Sequence, residues 1–176
     1  AQSTGTADTR GGCFAGDCYV RVPEGLKRVK DLQRGDKVLS RDKHGNSTVG
    51  TVDCIVLYNI SSVPLYDGYI TAYHPIFHGG QWRFPADVLT PQGTAEGYVY
   101  NILLEPHACC VYVGDTPCIT LGHDIIDDPV AHHLYFGSDA VRNEIKAQPT
   151  YATGRVSTTF EETRRGRDHL VYTMFK

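Results

Sequence analysis

The chain has no run of about 20 apolar residues, the length a helix needs to cross a bilayer, so no helical membrane span is expected. It also lacks an excess of basic charge: 17 Lys and Arg stand against 20 Asp and Glu, for a formal net charge of −3. That balance gives no field for nucleic acid, and Arg164-Arg165-Gly166-Arg167 reads as a solvated turn rather than a phosphate site. Metal-site spacing is missing too. Among His107, Cys109, Cys110, Cys118, His123, His132 and His133 there is no Cys-x-x-Cys and no His-x-x-x-His. The adjacent Cys109-Cys110 pair is expected to point to opposite faces of a strand and to chelate poorly. Neither a metal nor a cofactor is therefore expected. The six cysteines would build a disulfide framework only in a secreted chain, and 176 residues are enough for a core that needs no staples. The chain begins with Ala1, without initiator methionine or signal peptide, and AQSTGTADTRGG reads as a linker. It is expected to be a piece of a longer protein, which leaves its compartment open.

What is present fits one globular domain, with 41% hydrophobic and 21% charged residues. Residues 18–22, 37–40, 48–57, 68–72, 98–104 and 109–114 are rich in Val, Ile, Tyr and Thr and are punctuated by Gly, Pro, Asn or Asp. This pattern predicts an all-β fold. Lys43-His44-Gly45-Asn46 and Gly114-Asp115-Thr116-Pro117 read as hairpin turns, and Leu26 to Leu32 as one helical turn. One helix is predicted near the end: Ser138 or Asp139 caps it, Val141 and Ile145 share a face, and Pro149 stops it.

The most reactive arrangement is Gly11-Gly12-Cys13-Phe14. A thiol is the strongest side-chain nucleophile near neutral pH, and a cysteine after a glycine pair can attack the carbonyl before it. Gly12 leaves that carbonyl unshielded and tolerates a strained backbone. Attack passes through a tetrahedral oxyanion that needs hydrogen-bond donors, and it yields a thioester between Gly12 and the Cys13 sulfur. A cysteine hydrolase acting in trans is disfavoured, because the substrate-like leader directly precedes the nucleophile.

From Cys13 the run CFAGDCYVRVPEGLKRVKDLQRGDKVLS, then ITAYHPIF at 70–77 and VYNILLEPHACCVYV at 99–113, resembles in order the blocks of the Hint family, the self-processing domains of hedgehog proteins and inteins. Leu121-Gly122-His123, His132-His133-Leu134-Tyr135-Phe136-Gly137 and Gly154-Arg155-Val156 resemble the Vint type, found in proteins that also carry a von Willebrand A domain. The resemblance implies a pseudo-symmetric, horseshoe-like β fold with a short α-containing C-terminal extension. The expected divisions are a leader at 1–12, a Hint domain at 13–124, and an extension at 125–176 packed through Ile125, Leu134, Phe136, Val141 and Ile145.

It also assigns roles. Thr71-Ala72-Tyr73-His74 is similar to the family's Thr-x-x-His motif, so His74 would protonate the leaving amide, and Thr71 would either hydrogen-bond the scissile amide or serve a purely structural strand role. His107 would serve a second step. His123 is either a residue for that step or a strand-end histidine bonded to backbone. Asp124 and Ile125 stand where splicing needs an asparagine followed by Cys, Ser or Thr, and Asn59 stands where a sterol-activating aspartate is expected. Splicing and cholesterol transfer are both disfavoured. Cys118 is either a buried strand cysteine or a thiol that traps the nucleophile. The function so implied is an N-to-S acyl shift at Gly12-Cys13, with release of the upstream segment to water or a small thiol or amine, by a monomer acting on its own chain. The alternative is a Hint-derived module that no longer cleaves and serves interaction or folding.

Overall fold

The structure, a computed structural model, describes residues 12–159, 162–165 and 171–175. The leader as far as residue 11 and the Gly166-Arg167 part of the arginine cluster lie outside them. Among the described residues β structure dominates. β1 (Tyr19–Val22) and β2 (Gly25–Arg28) form a hairpin, and β3 (Lys37–Arg41) forms another with the start of β4 (Ser47–Tyr66). The second is closed at the expected turn, where the Asp42 carboxylate accepts from the amides of His44 and Asn46 at 2.9 Å each. β4 then pairs antiparallel with β7 (Pro91–Leu104) over most of its 20 residues. Between them lie β5 (Ile76–His78), β6 (Gln81–Arg83) and the single turn α1 (Pro85–Val88). β8 (Cys110–Val113) and β9 (Thr116–Ile119) join β5 and β6 in a four-stranded sheet.

A bulge sets which way β4 faces. The register with β7 shifts between Val52 and Cys54, so residues of the same parity change sides across it. Val52 packs in one core with Val38, Ile102 and Leu104, whereas Cys54, Val56, Tyr58 and Ile60 pack in another with Val99 and Leu103. The second core holds Cys13.

Residues after Asp124 complete that second core. α2 (Asp139–Lys146) is capped by Ser138, whose Oγ accepts from Ala140 N at 3.1 Å. Its Val141 and Ile145 are fully buried against Cys13, Cys54 and Leu103, together with Tyr135, Phe136, Val156, Val171 and Met174. β10 (Arg155–Thr159) pairs parallel with β4 from Ile55 to Asn59, and β11 (Arg164–Arg165) pairs with β12 (Val171–Thr173). Arg34 ties the segment at Tyr151 to β4 by donating to Asp53 O at 2.7 Å and to Tyr151 O at 2.6 Å.

Three expectations are corrected. Residues 68–72 form no strand: Tyr66 N bonds back to Ile70 O, and the tight return leaves only isolated bridges at Ile70. The predicted helical turn at Leu26 to Leu32 is present but narrowed to a 3-10 turn at Val29–Asp31, because Leu26 to Arg28 pair with β1 as β2. Leu134 is 65% exposed and does not pack as expected, whereas Ile125, Phe136, Val141 and Ile145 are buried.

Candidate active site

The segment at Cys13 is threaded between two others. Phe14 exchanges both backbone hydrogen bonds with Tyr100, at 2.7 and 2.9 Å. On its other side Ala15 N donates to Tyr69 O, and Thr71 N donates to Cys13 O at 3.0 Å. This ladder fixes the register of the Gly12-Cys13 peptide against Thr71, His74 and β7. The peptide is buried along with Cys13 (1% exposed), Thr71 (3%) and His74 (1%).

Both ends of the peptide group are held. Cys13 N donates to Thr71 Oγ1 at 2.8 Å, and Gly12 O accepts from Asn101 Nδ2 at 2.7 Å. Gly12 has φ +78, and a Cβ there would lie 2.6 Å from His74 Cα and 2.7 Å from its Cβ, so only glycine fits. His74 rests directly on the bond. Its Nε2 lies 2.6 Å from Ile119 O, and a carbonyl can only accept, so Nε2 carries the proton in the neutral ring. Nδ1 is left with a lone pair; it is buried beside the Gly12 backbone and has no partner meeting hydrogen-bond geometry. Burial pushes the imidazole down to about 4, so His74 is neutral near pH 7. A neutral histidine with a free lone pair is a base before it is an acid.

The sequence profile of Vint, a Hint-domain, matches residues 12–172. The chain belongs to the Vint family of Hint domains. These are autoprocessing domains, and the all-β architecture above is the family's fold. Among solved structures, a DnaB intein from Synechocystis aligns over 62% of this chain and 98% of its own, at 12% identity and a TM-score of 0.49. An intein-like domain from Clostridium thermocellum covers 61% and 96%, at 16% identity and 0.48. A DnaX mini intein from Spirulina platensis covers 62% and 98%, at 14% identity and 0.46. No curated protein matches the chain.

Other expected site residues of this Vint domain lie elsewhere. β7 carries the chain about 10 Å from Asn101 to Leu104. His107 follows in an exposed turn with φ +87, and among the described residues no hydrogen bond links it to the Gly12-Cys13 peptide. His123 is buried, and its Nδ1 accepts from Ile125 N at 3.0 Å. Burial first, then the neighbouring His133 and His74, push it down to about 4. Asp124 turns outward in a left-handed conformation and pairs with Lys43 at 3.0 Å. Cys118 packs in the core of Phe14, Cys18 and Ile76 rather than the core of Cys13; burial holds its thiol well above the ordinary range, and the thiol donates to Thr116 O at 3.5 Å. Cys109 precedes β8, so strand alternation does not separate it from Cys110, whose Sγ lies 3.9 Å from Ser40 Oγ. The six cysteines form no disulfide, and among the described residues no group of three or more His, Cys, Asp or Glu could hold a metal ion.

Asn101 is the residue that sequence reasoning missed. In Val99-Tyr100-Asn101-Ile102-Leu103 it stands between Val99 and Leu103 on the face of β7 that meets Cys13. A polar side chain on a buried strand face needs a partner, and that was the available signal.

Proposed function

We propose that this Vint domain cuts its own chain at Gly12-Cys13 by an N-to-S acyl shift. The observation that carries this reading is the grip on one buried peptide bond by Thr71, Asn101 and His74, with a cysteine supplying its amide nitrogen. His74 Nδ1 takes the Cys13 thiol proton, and the thiolate sulfur attacks the Gly12 carbonyl carbon. The C–N bond then breaks, and the same Nδ1–H returns its proton to the departing nitrogen. The products are a Gly12 thioester on Cys13 and a free Cys13 amine, with atoms and protons balanced. Thr71 Oγ1 holds the Cys13 N–H and so fixes the leaving nitrogen.

Water or a small thiol or amine then takes the acyl group and frees the upstream segment. The burial of Gly12 and Cys13 supports a small acceptor. Release without splicing is supported by the far end of the Hint region: the Asp124 carboxylate pairs with Lys43, carries no nucleophilic amide, and is followed by Ile125. Asn59, exposed on β4, offers no carboxylate base for a sterol hydroxyl. Intact-mass measurement after incubation with a strong thiol tests the reading. Wild type should lose residues 1–12 and leave a chain that starts at Cys13, while Cys13→Ala stays whole. Loss of the leader from Cys13→Ala, or none from wild type, overturns it.

A further inference from the structure

We infer that Asn101 is a catalytic residue of this reaction, the donor that stabilises the oxyanion formed at Gly12 O; this rests on the acyl-shift reading above. Its Nδ2 already lies 2.7 Å from the oxygen on which negative charge must develop. Attack by the Cys13 sulfur turns that carbonyl oxygen into an alkoxide, so the bond strengthens as the reaction proceeds and favours the transition state over the ground state. Collapse of the intermediate returns the electron pair to the carbonyl and expels the Cys13 nitrogen.

The donor is preorganised by two separate constraints. Asn101 Oδ1 accepts from Ile102 N at 2.9 Å, which decides the amide orientation and leaves Nδ2 as the atom that faces Gly12. The backbone is set by the paired hydrogen bonds between Phe14 and Tyr100, two residues from Gly12 and one from Asn101. Asn101 is only 6% exposed, so water does not compete strongly for the carbonyl. Thr71 accepts from the amide nitrogen, and the neutral His74 ring donates through Nε2 to Ile119, while the Gly12 backbone also favours the protonated form of that ring. In the resting peptide the Asn101 amide is the side-chain donor on this oxygen.

The discriminating variant is Asn101→Asp. It keeps the shape and the acceptor for Ile102 N, but near neutral pH it places a carboxylate oxygen against the Gly12 carbonyl. When protonated, the same side chain is a donor again. Hydroxylamine-trapped release should fall about 10²–10³-fold near pH 7, the usual cost of losing one oxyanion donor. The ratio of variant to wild-type rate should rise as pH is lowered through the aspartate's protonation. A wild-type rate in Asn101→Asp near neutral pH, or a deficit that does not change with pH, overturns the inference. A wild type that never releases its leader instead refutes the acyl-shift reading beneath it. Should the variant fail to fold, a scalar coupling across the hydrogen bond from Asn101 Nδ2 to the Gly12 carbonyl carbon can be sought by NMR in uncleaved wild type. Its detection supports the donor, and its absence overturns it.

Discussion

His74 and His123 are neighbours in the fold and look chemically alike. Both are buried, and burial is the main cause that pushes each imidazole down to about 4. Their neighbours differ. His74 gives its proton-bearing nitrogen to Ile119 O and keeps a lone pair against a peptide whose carbonyl and amide are both held. His123 spends its Nδ1 lone pair on Ile125 N, and Gly137 lies so close that a Cβ there would sit 2.7 Å from Nε2. The adjacent Asp124 carboxylate faces Lys43 at the surface. A histidine becomes useful through what its free nitrogen meets, and of the two it is His74 that lies against a peptide with a held carbonyl.

The largest effect that separates the two should come from removing each ring. His74→Ala takes away the base and the returning acid, and should slow hydroxylamine-trapped release about 10²–10⁴-fold. His123→Ala should change that rate far less once fold is checked by circular dichroism. Equal losses would erase the distinction.

Acidification should show what the two histidines share. His74, His123 and His133 are each held down to about 4 in the fold from an ordinary value of 6.5. Below that ordinary value the unfolded chain binds more protons than the folded one, so their stabilisation is complete above it. It drains away as pH falls through the window between the two values. Denaturant midpoints taken from about pH 7 to about pH 5 should fall progressively, and His123→Asn should flatten the slope. A midpoint independent of pH would contradict the buried neutral state of these rings.

A smaller change sharpens the N-terminal side alone. Thr71→Val keeps the shape but leaves the Cys13 N–H buried without its acceptor, at a cost of about 1–3 kcal/mol. Denaturant titration of wild type and variant measures it, and an unchanged midpoint would show that this bond does not hold the junction.

Local chemistry was readable in the sequence, and contact between distant segments was not. The Asp42–Asn46 hairpin and the Ser138 cap of α2 follow from residues a few positions apart, and both stand where expected. The stretch 68–72 has strand composition, but a tight return after β4 left it no continuous partner. At the site, Cys13, Thr71 and His74 were named from motif chemistry, and the structure places them together. Asn101 escaped because its partner is 89 positions away and the contact exists only through the Phe14 to Tyr100 ladder. His107 shares a motif with Asn101, yet strand length carries it to an exposed turn.

The most direct measurement is the chemical form of the released leader's C-terminus. The uncleaved chain should be treated with hydroxylamine near neutral pH and the leader read by mass spectrometry. An acyl group on the Cys13 sulfur gives a leader that ends in a Gly12 hydroxamate, together with a chain that starts at Cys13 and carries a free thiol. A leader that ends in an unmodified Gly12 carboxylate throughout, or a cut at any other bond, would contradict the thioester at the centre of the account.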